Sequence, residues 1–282
     1  MRQAGIIIGS TIQMNYESFG FYAVGTVSFQ VEANTADQAT DYIRKIPNIA
    51  GAWRMGKTSS IIVVATLKNV EELDRFRDTI KKMPSAHGLI TNVWTGIRNI
   101  PENLSITPLA KKAQTEGTSF KKLSTGDRKR KNEIDEIDNK IVEKLSQNGR
   151  LSFKEIAEAI NSSTSTVARK YEKLRREGII KVTVQINPLK LGYHATAWFS
   201  IVTAQNNILS IVEKIANIPD VTLILKISGE YDLSVTAMIK DIEHLLSVQD
   251  EITCIEGVTK VETIVGRVFE MMPLPREYIS TF

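Results

Sequence analysis

With 282 residues, 42% apolar and 24% charged, the chain is long enough for two or three units that each bury a core, and no apolar run approaches the ~18 residues that span a bilayer. One cysteine, Cys254, excludes an intrachain disulfide, and the three histidines, His87, His194 and His244, do not gather with soft ligands as a structural zinc site requires. The formal charge of +4 is unevenly spread, because Lys111 to Lys131 holds eight bases and two acids, a local +6 that leaves the remainder at −2.

The N-terminus has neither the basic head nor the apolar body of a secretory signal. A cytoplasmic protein with no cofactor, no metal and no membrane partner is expected. The first seven residues, MRQAGII, return as LRREGII at 174 to 180. The match continues at near-constant offset. Ile12-Gln13-Met14-Asn15 pairs with Val184-Gln185-Ile186-Asn187, Gly20-Phe21-Tyr22-Ala23 with Gly192-Tyr193-His194-Ala195, and Ile46-Pro47-Asn48-Ile49 with Ile218-Pro219-Asp220-Val221. Such matching marks an internal repeat. In each copy an alternating β-branched stretch (Tyr22 to Val31; Ala195 to Thr203) precedes a helical stripe of Ala36, Ala39, Ile43 and Ile46, or of Ile208, Ile211, Ile215 and Ile218. Two strand-like runs bent at Gly56 or Gly229 come next. A second stripe follows (Val70, Leu73, Phe76, Ile80; Ile242, Leu245, Leu246, Ile252), then a closing strand (Leu89 to Ile97; Val258 to Val268). The order β-α-β-β-α-β predicts an antiparallel, ferredoxin-like sheet with both helices on one face. The fold class is therefore α+β, with units at 1–100 and 181–282.

Between the copies, residues 101 to 132 carry Pro101, Pro108, Gly117, Gly126 and the basic cluster. This composition predicts a flexible linker with an r.m.s. span of roughly 30 Å.

Residues 133 to 180 read as three short helices. The first places Ile137, Ile141 and Leu145 on one face and stops at Asn148-Gly149. The second opens on a capping box, Ser152 with Glu155. The third starts at Ser162 or Ser163 and buries Val167, Tyr171 and Leu174. Two helices joined by a tight turn form a helix-turn-helix, whose second helix enters the DNA major groove. At 100° per residue from Val167, Ser165, Arg169, Glu172 and Arg176 lie on the opposite, DNA-available face. From Ser163 to Glu177 five bases stand against two acids, which concentrates positive potential there. Ser162, Ser163, Thr164, Ser165 and Thr166 at the helix start suit phosphate oxygens. Arg169 reaches for a base edge, and Lys170, Lys173 and Arg176 complete the candidate contact set.

The pattern Ile134-Asp135, Asp138, Ile141, Gly149-Arg150, Ile156-Ala157, Ser163, Val167, Arg169, Leu174, Gly178, Ile180 resembles the DNA-binding domain of the Lrp/AsnC, or feast/famine, transcription regulators. The unit that follows, with Leu191-Gly192-Tyr193 and Gly229-Glu230-Tyr231-Asp232-Leu233, is similar to that family's effector domain. The resemblance implies a regulator of double-stranded DNA that responds to a small metabolite such as an amino acid. It also implies homo-oligomers formed through the effector domains, and a ligand near the turn of Gly229, Glu230, Tyr231 and Asp232. Asp232 then accepts from an ammonium group, or else only caps a turn. In the N-terminal copy the corresponding run, Gly56-Lys57-Thr58-Ser59-Ser60, lacks the Tyr and Asp, which points to pairing rather than ligand binding. MRQAGII resembles the stub of a recognition helix, as though the chain arose by duplication with loss of one reading head. Two rival functions remain. One is a tetrapyrrole decarboxylase acting on sirohaem, a group similar to the family in both domains. The other is a metabolite-binding scaffold with a vestigial head. No Ser/His/Asp, Cys/His or paired-carboxylate arrangement stands out for catalysis, so no enzyme is expected.

Overall fold

The computed structural model describes residues 3–55, 60–99, 121–122, 134–204, 208–274 and 278–279. The first copy of the repeat runs β1 (Ile7–Met14), β2 (Ala23–Gln30), α1 (Ala36–Ile43), β3 (Ile49–Met55), β4 (Ser60–Leu67), α2 (Glu71–Lys81) and β5 (His87–Asn99). A two-residue strand, β6 (Lys121–Lys122), precedes three helices, α3 (Glu136–Gln147), α4 (Phe153–Ala159) and α5 (Thr164–Arg176). The second copy is β7 (Ile180–Ile186), β8 (Ala195–Thr203), α6 (Ile208–Ala216), β9 (Val221–Ser228), β10 (Leu233–Ile239), α7 (Ile242–Thr253) and β11 (Val258–Arg267), and β12 (Tyr278–Ile279) ends the set.

The repeat is as visible in backbone geometry as in residue type. Gly5 and Gly178 both adopt a left-handed φ of 67°, the conformation that ends a helix and turns the chain into a strand. Asn48 and Asp220 match at 63° and 66°. Asn15 and Asn187 each accept an amide two residues on, which starts a single 3-10 turn.

Each copy folds as an antiparallel sheet, ordered β5-β2-β4-β3 or β11-β8-β10-β9, the ferredoxin-like arrangement read from the sequence. Alternate strand residues face the helices. Val27, Phe29, Val63 and Ala65 pack on Ile43, Phe76 and Ile80, while Phe199, Ile201, Val235 and Ala237 pack on Ile211, Ile215, Val248 and Ile252. The second stripe of each copy is corrected. Val70 precedes α2 and is exposed, and Ile242 and Leu246 face solvent at 65% and 51% exposure. The buried face of α7 is Leu245, Val248 and Ile252, the phase that 3.6 residues per turn selects once Ile252 is anchored. The bend expected at Gly56 and the 101–132 linker lie outside the described residues, except that Lys121–Lys122 pair with Gly96 and Ile97 of β5.

The copies join within one chain. β5 pairs with β9 from Val93↔Ser228 to Asn99↔Leu223, which makes one continuous sheet, and β1 pairs antiparallel with β7, Thr11 lying opposite Thr183. The result is a pseudo-two-fold dimer made of a single polypeptide. Its symmetry is broken at the second seam. There β12 runs parallel to β3 at Gly51 and Ala52, and Phe269 packs edge-on against Trp53 and Trp198 at 5.9 and 6.2 Å.

Candidate nucleic-acid interface

Local signals build the three-helix head. Asp135 caps α3 by accepting from the Asp138 amide, and Asp138 returns the bond to the Asp135 amide. Ser152 and Glu155 do the same for α4, and the Ser152 hydrogen bonds hold the Glu155 carboxyl below its ordinary range. Ser163 caps α5, accepting from the Thr166 amide at 3.1 Å, after a turn in which Asn161 is left-handed at φ 54°. Ile141, Leu145, Ile156, Val167 and Leu174 close the core, with Tyr171 packed against Phe153 at 5.1 Å.

The head is not self-contained, and the sequence carries no visible sign of this. Strand β1 of the N-terminal copy completes its core through Ile12, which is 5% exposed. The Thr11 hydroxyl donates to the Ser146 carbonyl at 2.8 Å, the Gly149 amide donates to the Ser10 carbonyl at 3.0 Å, and the Asn15 amide donates to the Ile179 carbonyl at 2.9 Å. A Cβ on Gly149 would lie 3.0 Å from the Thr11 carbonyl and 3.2 Å from Val182, so glycine lets the end of α3 approach that strand without the strand having to give way.

The recognition surface stands open. Ser163, Thr164, Ser165, Arg169 and Arg176 are exposed, and Ser162, Thr166 and Lys173 are half-buried. The Ser162 amide is taken by the Ala157 carbonyl at 2.9 Å, and the Ser163 hydroxyl is engaged with Thr166. The amides of Thr164 and Ser165 begin the helix, with no turn behind them to accept their hydrogens. Exposed Glu172 pairs with Arg175 at 3.1 Å, which leaves Arg169 and Arg176 as the prominent cations of the outer face.

Lys170 is corrected. Its ammonium turns inward to Asp135 at 2.5 Å and Asp138 at 3.2 Å, with side-chain exposures of 12% for Lys170 and 1% for Asp138. It pins the middle of α5 to the start of α3. The hydrogen bond from Lys170 is the largest influence holding the Asp135 carboxyl at about 2. Burial alone would lower the Lys170 ammonium, but hydrogen bonds to the two carboxylates outweigh it and hold the group above its ordinary value.

In the effector-type turn, Gly229, Glu230, Tyr231 and Asp232 link β9 to β10, facing β5 of the other copy. A Cβ on Gly229 would fall 2.2 Å from Asn92 Oδ1. Asp232 is half-buried and engaged by the fold, because its Oδ2 accepts from the Thr203 amide at 2.7 Å and the Thr203 hydroxyl at 3.1 Å. That is the turn-pinning role, not an unengaged acceptor. Tyr231 donates to Glu262, and this bond, with burial, pushes the phenol up to about 12. Lys260 pairs with Glu262 at 2.7 Å and lies 3.9 Å from Glu230 and 5.3 Å from the centre of the Tyr231 ring. Exposed Glu230 is the carboxylate of the turn nearest solvent.

Comparison with known proteins agrees with both parts. Residues 134–175 match the AsnC-type helix-turn-helix domain, and residues 196–266 match the Lrp/AsnC ligand binding domain. The chain is 33% identical over 136 residues to the uncharacterized HTH-type transcriptional regulator PH0140 of Pyrococcus horikoshii, covering 48% of this chain and 86% of that protein. It is 35% identical over 135 residues to the regulator PF1734 of Pyrococcus furiosus, covering 48% and 91%. Among solved structures, siroheme decarboxylase NirDL aligns with 99% of this chain and 81% of its own, at TM-score 0.61 and 13% identity, a likeness of fold alone. Escherichia coli AsnC aligns with half of this chain, at 26% identity and TM-score 0.46. A capped, open recognition helix, the ligand-binding fold beside it and relatives matched over nearly their whole length place the chain in the Lrp/AsnC family of transcription regulators.

Proposed function

We propose that the chain reads a specific DNA sequence through α5 and that a small metabolite, an amino acid by its chemistry, modulates this binding at the 229–232 turn. The observation that carries the reading is exposed Arg169, set at the middle of a helix whose N-terminus is capped and open to solvent. Phosphates meet the first amides of α5 and the hydroxyls of Thr164 and Ser165, and Arg176 and Lys173 add phosphate contacts. Arg169 supplies the base contact. For the effector, turn amides suit a carboxylate, and Glu230 takes over from the internally bonded Asp232 as the partner for an ammonium.

The test is fluorescence anisotropy with a duplex selected from random sequence against a scrambled duplex. Arg169→Ala should cost about 1–3 kcal/mol on the selected duplex and little on the scrambled one. Equal wild-type affinity for both would end the reading. Adding an amino-acid panel should shift the selected-duplex affinity, with Glu230→Ala abolishing the shift. Because the whole-chain fold is shared with a siroheme decarboxylase, titration with an iron tetrapyrrole is the matching control, and an unchanged absorbance spectrum is expected.

A further inference from the structure

The two copies of the repeat differ in how they fill the space between their first helix and the turn after their second. Ala39 of α1 is the equivalent of Ile211 of α6, and Ser85 is the equivalent of Gly257, the two turn residues being left-handed at φ 65° and 92°. In the C-terminal copy Ile211 reaches across to the turn, and its Cδ1 lies 3.1 Å from where a Cβ on Gly257 would stand. In the N-terminal copy that place carries the Cβ of Ser85, so an isoleucine at position 39 would be crowded. Alanine relieves the crowding but does not fill the space. The Ser85 hydroxyl does not fill it either, because it is turned to the Thr35 hydroxyl at 2.7 Å and the Pro84 carbonyl at 2.6 Å.

A cavity of about 280 Å³ is left, with buried Ala39 and Met83 as its floor. Tyr42 makes a wall. Its hydroxyl donates to the Thr79 carbonyl at 3.0 Å, which holds the ring between α1 and α2, where the C-terminal copy has Lys214. The rim is polar and exposed. There Asp41 is paired with Arg44 at 3.4 Å, whereas the Lys45 ammonium meets no carboxylate among the described residues. The result is a short apolar slot with one free cation at its mouth. Ligand pockets have this form, an apolar lining with a few polar groups that orient the guest.

We propose that this cavity binds a small carboxylic acid with an aromatic or branched apolar body. The body rests on Ala39 and the Met83 thioether beside the Tyr42 ring, and the carboxylate meets the Lys45 ammonium, with the Gln38 amide as a second donor. The volume is just under the range of about 300–1,000 Å³ usual for ligand pockets, which suits a single ring and is too small for a tetrapyrrole. The site belongs to the N-terminal copy and is separate from the 229–232 turn of the other copy.

Phenylacetate is the probe, followed through the Met83 methyl signal in the NMR spectrum of the full chain labelled at its methionine methyls, with Met83→Leu assigning the signal. No DNA is present, so the outcome does not depend on the reading of α5. The Met83 signal should move and saturate. Acetate, which lacks the body, should leave it in place, and 2-phenylethylamine, which reverses the head charge, should bind roughly fivefold more weakly. Lys45→Met should erase that preference for the acid. Ala39→Ile combined with Ser85→Gly transplants the filling of the C-terminal copy, and should abolish binding while melting no lower than the wild type. Ala39→Val, a milder filling that keeps Ser85, should weaken binding with the fold intact. A Met83 signal that phenylacetate does not move, an amine that binds as tightly as the acid, a Lys45→Met protein that keeps the preference, or folded Ala39 variants that bind as the wild type does would each overturn the proposal.

Discussion

At the scale of single residues, Lys170 shows that a basic residue on a recognition helix is not thereby a DNA contact. Its ammonium is the counter-charge for Asp138, whose side chain is 1% exposed, and a buried carboxylate stripped of its partner is costly. Lys170→Met should therefore lower stability by about 3–5 kcal/mol in urea unfolding, and adding Asp138→Asn should recover part of the loss, as contacting residues do. The acid limb follows from the same cluster. Asp135 sits at about 2 when folded against 3.8 otherwise, so its contribution is present above the higher value and fades as pH falls toward the lower one. Urea midpoints should drop across that window in the wild type, and less in Lys170→Met. The inward turn of Lys170 was legible, since at 100° per residue it lies only about 60° from buried Val167. Arg169 lies nearly opposite.

At the scale of elements, the helices that begin on a capping residue were the most legible, because a cap is a local bond between residues three apart. Ser152 and Ser163 cap where the sequence places a helix start, and Asp135, which the apolar spacing alone does not mark, caps the first helix in the same way. Ser152→Ala should cost about 1 kcal/mol, measurable as a lower melting temperature, and Ser152→Thr should retain most of that stability. The α7 stripe was harder to read. Ile242, Leu245, Leu246 and Ile252 offer two apolar phases, and packing on β10 and β11 selects the one through Leu245, Val248 and Ile252. The rejected phase leaves Ile242 and Leu246 in solvent.

At the scale of the whole molecule, the junction of the two copies carries constraints that belong to neither alone. Asn92 of β5 fills the space a side chain at Gly229 would need. Gly229→Ala should therefore destabilise by about 1–3 kcal/mol through overpacking, and Asn92→Gly in the same chain should relieve it. A double-mutant cycle followed by thermal unfolding would detect that coupling, and additive losses would show that Asn92 does not determine the glycine. Likewise Thr11 and Ile12 stabilise a head that begins more than a hundred residues later, through β1 and the Ser146 carbonyl.

By itself the sequence determined the repeat, the two βαββαβ units, the three short helices of the head and the outward direction of Arg169. These follow from periodicity, caps and turns, interactions within a few residues of the chain. Only the tertiary structure decided that both copies pair inside one polypeptide, that β1 completes the head, that Asp135 and Asp138 are the carboxylates Lys170 meets, and that Asp232 is bonded to Thr203. Those outcomes depend on which strand edges meet and which charges are buried together. Such contacts join residues far apart in sequence, and hydrophobic periodicity encodes which face of an element is buried but not which partner buries it.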